Sequence, residues 1–313
     1  RVLEFCREMK ARGLKWFCEG YVSFVIQHPE ILQEMVDSGL TCIQFGIESG
    51  SNQVLAAYNK RTTREMILQC IQICKESGIH GITGNFIIGG ARETAETLEE
   101  SRKLAADMLR AARGILELYT VYFAPYPNTR MSSSPQEFGI EMDQELLNYN
   151  LNTMRSPVVR TEALTAKEIY EKKHEFDRFL EECYRQEALA SKKADVIQGM
   201  YQDGQRIHVN PTWEAAYLSF HYIDVFLRHM SEEEQQFRPD AYPIRTFDDF
   251  VLDGGKMTAE PGAFEGLEKE ILLRASGQKT AAELSRVLGV TIEEMEAVCH
   301  RLNNRCLLYM SRW

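Results

Sequence analysis

Four polar or glycine-rich segments, each directly after an apolar run, carry the residues of this sequence that could bind a small molecule. They are residues 18–20, 48–52, 89–94 and 124–129. In the second segment, the carboxylate of Glu48 and the hydroxyl of Ser49 could hydrogen-bond the hydroxyl groups of a ligand, and the glycines would let the backbone approach it closely. Ligands of parallel α/β sheets bind at the carboxyl ends of the strands, so the four segments predict one shared site.

Each segment also has a purely structural explanation. Glu48 would pair with Lys60 or cap a neighbouring amide. The two glycines at 89–90 would form only a tight turn. Residues 93–94 would only begin a helix, because an acidic group and a hydroxyl suit the free N–H groups of a helix start. Taken one at a time, the segments leave both interpretations open.

An alternation of helical and strand-like runs positions these segments. Helical patterns at 2–12, 29–38, 62–75 and 94–113 alternate with strand-like runs at 15–24, 41–47, 82–88 and 116–123. This alternation predicts a parallel sheet with right-handed crossovers, and residues 62–65 resemble a capping box that opens the third helix. Four strands are half of a complete barrel. The predicted fold class is therefore α/β, a partial TIM-like (β/α) barrel fragment of about four parallel strands.

The chain changes character after this region. Prolines and a serine run after residue 124 indicate a loop, a capping box at 165–168 predicts a charged helix to about residue 194, and 213–230 reads as an aromatic-rich helix. In the last fifty residues, three helices and a strand at 307–310 are typical of a winged-helix-like module. The predicted domains are 1–135 (half barrel), 136–260 (helical connector) and 261–313 (winged-helix-like module).

Composition excludes several classes of function. The net charge of −10 argues against nucleic-acid or anionic-membrane partners, because phosphate affinity comes mainly from Lys and Arg. No apolar run reaches the length of a transmembrane helix. The N-terminus has charges every few residues, unlike a signal peptide, and the eight cysteines mostly fall in apolar patterns. We therefore expect a cytoplasmic protein with reduced thiols.

Cys70, Cys74 and Ser77 have nearly the spacing of a three-cysteine iron–sulfur motif. The two cysteines are four residues apart on a predicted helix and share its apolar face. Buried cysteine behaves as a small hydrophobic residue, and clusters are held by thiolates, which Ser77 cannot supply. We interpret this pair as core packing.

In order along the chain, three pieces of sequence resemble the radical S-adenosylmethionine superfamily, in particular the branch that often carries an upstream cobalamin-binding domain. They are HPEILQEMVDSGLTCIQFGIESGSNQVLAAYNKRTT, CKESGIHGITGNFIIGGARETAETLEES and YFAPYPNTRM. The resemblance covers about residues 1–135. It implies S-adenosylmethionine and a [4Fe–4S] cluster as cofactors, with cobalamin as a further expectation. It also implies an oxidoreductase or maturase that generates a 5′-deoxyadenosyl radical.

The same resemblance implies which residues contact the cofactor. Glu48 and Ser49 would bind the ribose and amino-acid part, with Gly46 and Gly50 permitting close approach. The next strand and its turn would lie near the adenine, and the backbone of the last strand would touch the adenine edge. The full set is Gly46, Glu48, Ser49, Gly50, Ile87, Gly89, Glu93, Tyr122, Phe123 and Ala124.

The sequence departs from the family pattern in two places. Arg92 stands where glycine is usual, which puts the path of that turn in doubt, and the Cys-x3-Cys-x2-Cys loop is absent. The sequence also begins within a helical pattern and without an initiator Met. We therefore expect a C-terminal fragment that is inactive alone and binds S-adenosylmethionine poorly. Its first strand would be an open edge, which predicts self-association or a disordered N-terminal part.

Two other functions stay open. A (β/α)-barrel enzyme without a cluster would need a glycine-rich phosphate loop, for which residues 89–90 are the candidate. A non-catalytic binding or regulatory protein would use the C-terminal module. The substrate, a peptide or a small molecule, is not specified by the sequence.

Overall fold

The computed structural model describes residues 1–142, 156–190, 193–203, 206–209, 237–245, 265–275, 278–304 and 308–311. The chain divides into two compact units, Arg1–Glu187 and Ala188–Trp313. The domain boundaries predicted from the sequence stay predictions. The predicted helix at 213–230 lies outside the described residues.

Four parallel strands form the sheet of the first unit. They are β1 (Trp16–Gly20), β2 (Leu40–Glu48), β3 (Gly81–Ile88) and β4 (Leu116–Tyr122), and they lie in the order β1-β2-β3-β4. Burial alternates along the central strands, as a sheet with one covered face requires. In β2, Phe45 and Ile47 are buried, whereas Gly46 and Glu48 on the opposite face are half-buried. The predicted four-stranded parallel sheet is confirmed.

Helices join consecutive strands of this sheet. They are α2 (Val22–Gln27) and α3 (Pro29–Asp37) before β2, α4 (Asn52–Ala57) and α5 (Arg64–Glu76) before β3, and α6 (Ala95–Ala111) before β4. A further helix, α1 (Val2–Arg12), precedes β1. The prediction of a strand over 15–24 was wrong beyond Gly20, and α4 was not predicted. Val22 and Val25 are buried three residues apart in α2, so helical packing overrides the strand propensity of this apolar run.

Local capping signals set several of the helix ends. Thr94 caps α6, and Gly78, with a φ of 77°, follows the end of α5. The predicted capping box at 62–65 was off by one residue. The cap of α5 is Thr63, whose hydroxyl accepts a hydrogen bond from the Met66 amide at 3.4 Å.

After β4 the chain makes an excursion before it returns to the sheet. It forms α7 (Arg130–Ser133), a 3-10 turn (Pro135–Phe138) and an antiparallel hairpin of β5 (Ile140–Met142) and β6 (Val159–Thr161). Helix α8 (Ala166–Leu189) then packs on the buried face of β3 and β4. Its Phe176 ring lies 5.3 Å from the Phe86 ring, and its Tyr184 hydroxyl bonds the Leu118 backbone. The predicted capping box at 165–168 is present at its start.

The second unit contains α9 (Lys193–Gln198), a hairpin of β7 (Met200–Asp203) and β8 (Arg206–Val209), and a helical cluster. The cluster consists of α10 (Gly266–Arg274), α11 (Ala281–Leu288) and α12 (Ile292–Asn304) around an apolar core that includes Ile271, Leu284 and Met295. Strand β10 (Leu308–Ser311) pairs antiparallel with β9 (Tyr242–Arg245). Capping boxes at Thr280 and Thr291 open α11 and α12. The winged-helix-like assignment stays a prediction.

The open edge of β1 carries exposed apolar side chains. Within the described residues β1 pairs only with β2. Phe17 of β1 and Leu3 and Phe5 of the preceding α1 are each about half exposed. Unpaired strand edges flanked by apolar surface promote association between chains. We expect the protein to form dimers or larger species as its concentration rises, measured by sedimentation velocity.

A pair of substitutions, Leu3→Lys with Phe17→Lys, should shift that equilibrium toward monomer. Tyr126→Lys is the matched control, because Tyr126 is also an exposed aromatic residue but lies after β4. A monomer at every concentration tested, or equal effects of the two variants, would rule out association through this edge.

No helix among the described residues is both long enough and apolar enough to cross a lipid bilayer.

Candidate functional site

A cleft of about 720 Å³ lies at the carboxyl ends of β1, β2 and β3, on the less buried face of the sheet. It is lined by Glu19, Gly20, Tyr21, Val22, Ser23, Gln44, Gly46, Glu48, Asn59, Lys60, Arg61, Thr62 and Asn85. Its volume is in the range of small-molecule pockets, and its lining is rich in hydrogen-bonding groups. Of the four predicted segments, residues 18–20 and 48–52 contribute to this lining, whereas residues 89–94 and 124–129 do not.

Glu48 has an unusual backbone conformation at the end of β2. Its φ is 63°, in the left-handed region, and the pairing with β3 shifts register between Gly46 and Glu48. A left-handed conformation costs a non-glycine residue about 1–2 kcal/mol, and such strain concentrates at functional sites. Bulges of this kind redirect side chains at the ends of strands, and here the Glu48 side chain lines the cleft.

Two neighbours hold the Glu48 carboxylate in place. Lys60 Nζ lies 2.8 Å from Glu48 Oε1 and also donates to the Gly46 carbonyl oxygen at 3.0 Å. The side-chain amide of Asn85 donates a hydrogen bond to Glu48 Oε2 at 3.3 Å. The ion pair that the structural explanation anticipated is therefore present. Each carboxylate oxygen accepts more than one hydrogen bond, so Glu48 keeps the capacity to bind hydroxyl groups of a ligand.

Ser49 and Gly50 do not line the cleft. The fully buried Ser49 hydroxyl lies 3.2 Å from the hydroxyl of Ser101 in α6 and accepts a hydrogen bond from the Ser51 amide. The Gly50 amide donates to the Ser101 hydroxyl at 2.8 Å. A Cβ at Gly50 would lie 2.6 Å from the backbone of α6. This placement does not support the predicted contacts of Ser49 and Gly50 with a ligand, because both fasten the loop after β2 to α6.

The turn after β3 is closed by its own glutamate. The fully buried Glu93 carboxyl accepts a hydrogen bond from the Gly89 amide. Burial raises the pKa of Glu93 to about 8, against the opposing effect of the Gly89 and Gly90 amides. These amides are therefore occupied within the turn, which argues against a phosphate loop at residues 89–90. Neither Gly89 nor Glu93 lines the cleft.

Arg92 itself takes the conformation that glycine would permit. Its φ is 56°. Its guanidinium pairs with Glu162 at 3.0 Å and donates to the Glu137 carbonyl, while its amide donates to the Phe138 carbonyl. These contacts from the excursion after β4 hold the strained residue in place. The doubt raised by the missing glycine is thus resolved in favour of a tight turn.

The residues expected near the adenine are covered by protein. Ile87 and Phe123 belong to an apolar cluster that includes Ile140 of β5 and Val159 of β6. Tyr122 is buried beneath Lys173 of α8, whose Nζ lies 5.4 Å from the ring. Ala124 is half-buried and does not line the cleft. Of the ten predicted residues, Gly46 and Glu48 line the cleft, and contacts of the others with a cofactor stay predictions.

Sequence reasoning missed most of the cleft lining. Gln44 and Asn85 were not selected, although each is a polar residue inside a strand-like apolar run. For Gln44, the signal was the alternation of polar or small residues at positions 44, 46 and 48. Side chains two residues apart share one face of a strand. The contribution of residues 59–62 depends on the loop before α5 folding back over this face, which no local pattern reveals.

The described cysteines do not form a metal site. Within the described residues, no group of three or more His, Cys, Asp or Glu side chains could hold a metal ion. Cys70 and Cys74 are fully buried in α5, which confirms their interpretation as core packing. A hydrogen bond to Cys74 and burial raise the pKa of the Cys70 thiol, so it stays protonated. The described residues therefore do not fit an iron–sulfur cluster.

Parallel strands joined by helices, with a polar cleft at their carboxyl ends, are the arrangement of α/β proteins of the (β/α) type, in which ligands bind at that edge of the sheet. Residues 2–105 match the sequence model of the Radical SAM superfamily. The matched part of the chain contains β1, β2, β3 and all the residues that line the cleft.

Two similar proteins are both called anaerobic magnesium-protoporphyrin IX monomethyl ester cyclase. The one from Cereibacter sphaeroides is 30% identical over 173 residues, which are 54% of this chain and 26% of that protein. The one from Rubrivivax gelatinosus is 29% identical over 175 residues, 55% of this chain and 29% of that protein. The chain thus spans between a quarter and a third of the length of these relatives.

Among solved structures, the cobalamin-dependent S-adenosylmethionine radical enzyme OxsB with aqua-cobalamin bound aligns with a TM-score of 0.42 and 13% identity. The alignment covers 72% of this chain and 36% of OxsB. A likeness at this level carries no argument about fold or ligand.

Proposed function

We propose that the chain supplies one wall of the S-adenosylmethionine site of a radical oxidoreductase or maturase. This proposal rests on the conformation and the contacts of Glu48. Glu48 lies within the matched superfamily region and is held in a left-handed conformation at a strand-end bulge, where Lys60 and Asn85 fix its carboxylate in a cleft. A strained carboxylate held in this way is poised for binding rather than for packing.

S-adenosylmethionine with its reducing cluster would supply the 5′-deoxyadenosyl radical. The residues of this chain would bind and orient the nucleoside. The Glu48 carboxylate would accept hydrogen bonds from the ribose hydroxyls, and the amide of Asn85 would stabilise that carboxylate. Lys60 lowers the cost of holding the negative charge in a half-buried position.

The cluster itself would have to be held by residues that this sequence lacks, because no Cys-x3-Cys-x2-Cys run occurs in it. We therefore propose that the chain on its own does not cleave S-adenosylmethionine. Cobalamin use and the identity of the substrate stay expectations. The cyclase activity named for the relatives is not carried over, since the chain spans only part of them.

The test uses 5′-methylthioadenosine, a nucleoside without the amino-acid group that would chelate iron. Titrating it into nitrogen-15-labelled protein should shift the amide signals of Gly46, Glu48 and Asn85, with a weak dissociation constant on the order of millimolar. Glu48→Gln should weaken this affinity severalfold, because the charge-assisted hydrogen bonds to the ribose are lost.

Glu19→Gln is the matched control, because it removes a carboxylate from the same cleft but not from the bulge. A second probe, 2′,3′-dideoxyadenosine, has no ribose diol and should bind the wild type and Glu48→Gln equally. If the wild type shows no shifts at these amides, or if both carboxylate variants behave alike, the proposed role of Glu48 is wrong.

A further inference from the structure

Tyr58 connects two strand-end loops that are distant in sequence. It follows α4, in the loop after β2, and its side chain reaches the turn after β3. Its hydroxyl oxygen accepts a hydrogen bond from the Ala91 amide at 3.3 Å. A Cβ built on Gly90 would lie 1.6 Å from that hydroxyl oxygen. The Tyr58 hydroxyl therefore rests directly on the backbone of the turn.

The Tyr58 hydroxyl is buried and stays protonated, and two acidic side chains act on its pKa. Burial raises the pKa of Tyr58 well above its usual value, and the carboxylates of Glu93 and Glu48 raise it further, while the Ala91 amide opposes the rise. Tyr58 is thus influenced by the buried carboxyl of the turn and by the carboxylate of the cleft.

The backbone that follows Tyr58 leads straight into the cleft. Asn59, with a φ of 55°, and Lys60 are the next residues, and both line the cleft. The Lys60 amide donates to the Leu55 carbonyl at 2.9 Å, which ties the start of this loop to α4. Lys60 also holds the Glu48 carboxylate, so Tyr58 lies two residues before the side chain that supports Glu48.

We propose that Tyr58 is a positioning residue, which couples the turn at residues 89–93 to the Lys60–Glu48 pair and so sets the geometry of the cleft. This inference rests on the proposed function where ligand affinity is concerned. The coupling between the two loops is a property of the free protein and does not depend on it.

Alanine substitutions at the two glycines of the turn distinguish a general packing effect from an effect that acts through Tyr58. Gly90 does not have a left-handed φ, and the nearest obstacle to a Cβ there is the Tyr58 hydroxyl. Gly89 has a φ of 83°, and a Cβ there would meet Ile169 of α8. Alanine at Gly89 is thus unfavourable whatever residue occupies position 58, whereas alanine at Gly90 is excluded through Tyr58.

The first experiment measures amide hydrogen exchange in the free protein. Tyr58→Phe removes the hydrogen bond to Ala91 and should speed exchange at residues 90–91. It should also speed exchange at residues 59–61 by roughly two- to tenfold, the range expected for one lost hydrogen bond. If exchange changes only in the turn and not in residues 59–61, the coupling is absent.

The second experiment is a rescue. Gly90→Ala should weaken 5′-methylthioadenosine binding severalfold, and the double variant Tyr58→Leu with Gly90→Ala should recover part of it. Tyr58→Leu should not rescue Gly89→Ala. Equal behaviour of the two glycine variants would overturn the positioning role. A wild type that fails to bind the nucleoside would instead refute the proposed function, and hydrogen exchange would still decide the coupling.

Discussion

Gly50→Ala is expected to destabilise the first unit strongly, by roughly 2–3 kcal/mol or more. The new Cβ would lie 2.6 Å from both the Glu100 carbonyl oxygen and the Ser101 Cα. These are backbone atoms of α6, so neither can move aside without moving the helix. The hydrogen bond from the Gly50 amide to the Ser101 hydroxyl would be lost at the same time. Urea denaturation followed by circular dichroism measures the change.

Gly46→Ala, four residues earlier in the same motif, is the matched comparison. Its Cβ would lie 2.5 Å from Glu48 Oε1 and 3.0 Å from Lys60 Nζ, which are the mobile ends of side chains. We expect a stability loss below about 1 kcal/mol but weaker nucleoside binding, because the ion pair must rearrange. Similar losses of stability in both variants would contradict the assignment of Gly50 to packing against α6 and of Gly46 to the cleft.

Glu93→Gln is expected to stabilise the protein increasingly as the pH rises from about 4.5 to about 8. The pKa of Glu93 is raised from 4.5 in a free side chain to about 8 by burial. Between these values the folded protein keeps a proton that the unfolded chain releases, so the stability of the wild type falls as pH rises. Glutamine mimics the protonated acid and removes this loss, which is on the order of a few kcal/mol above pH 8.

Unfolding free energies measured at several pH values would show this as a smaller slope for Glu93→Gln. Glu96→Gln is the control, because Glu96 is exposed and its bond to the Thr94 hydroxyl lowers the pKa of Glu96 below 4.5. That variant should leave the slope above pH 5 unchanged. A slope identical in wild type and Glu93→Gln would show that Glu93 is ionised in the folded protein.

The order of helices and strands in the first unit could be predicted because its signals are local. A capping hydroxyl accepts a hydrogen bond from an amide only a few residues away, as Thr94 does from Thr97 and Thr165 does from Glu168. The prediction of a strand over 15–24 was wrong after Gly20, where local signals no longer decided the structure. Whether its apolar second half continued as strand or became α2 depended on which of its side chains the rest of the unit could bury.

The candidate site was predictable only in part for the same reason. The position of Glu48 at the end of a strand follows from the sequence pattern, and so does the location of a site at that edge of the sheet. The burial of Ser49 depends on its contact with Ser101 in α6, which is distant in the chain. Contacts of this kind separate the residues that line the cleft from those that support it.

By itself, the sequence determined that this chain forms a parallel α/β sheet with polar residues at its carboxyl ends, and that it lacks the cysteine loop typical of the family it resembles. Hydrophobic periodicity, caps and motif spacing carry that information because they act between residues close in the chain. Only the tertiary structure decided that Gly46 serves the cleft and Gly50 the packing of α6, and that Tyr58 rests on Gly90. Those roles depend on which backbones approach each other across the fold, and no local pattern encodes such distances.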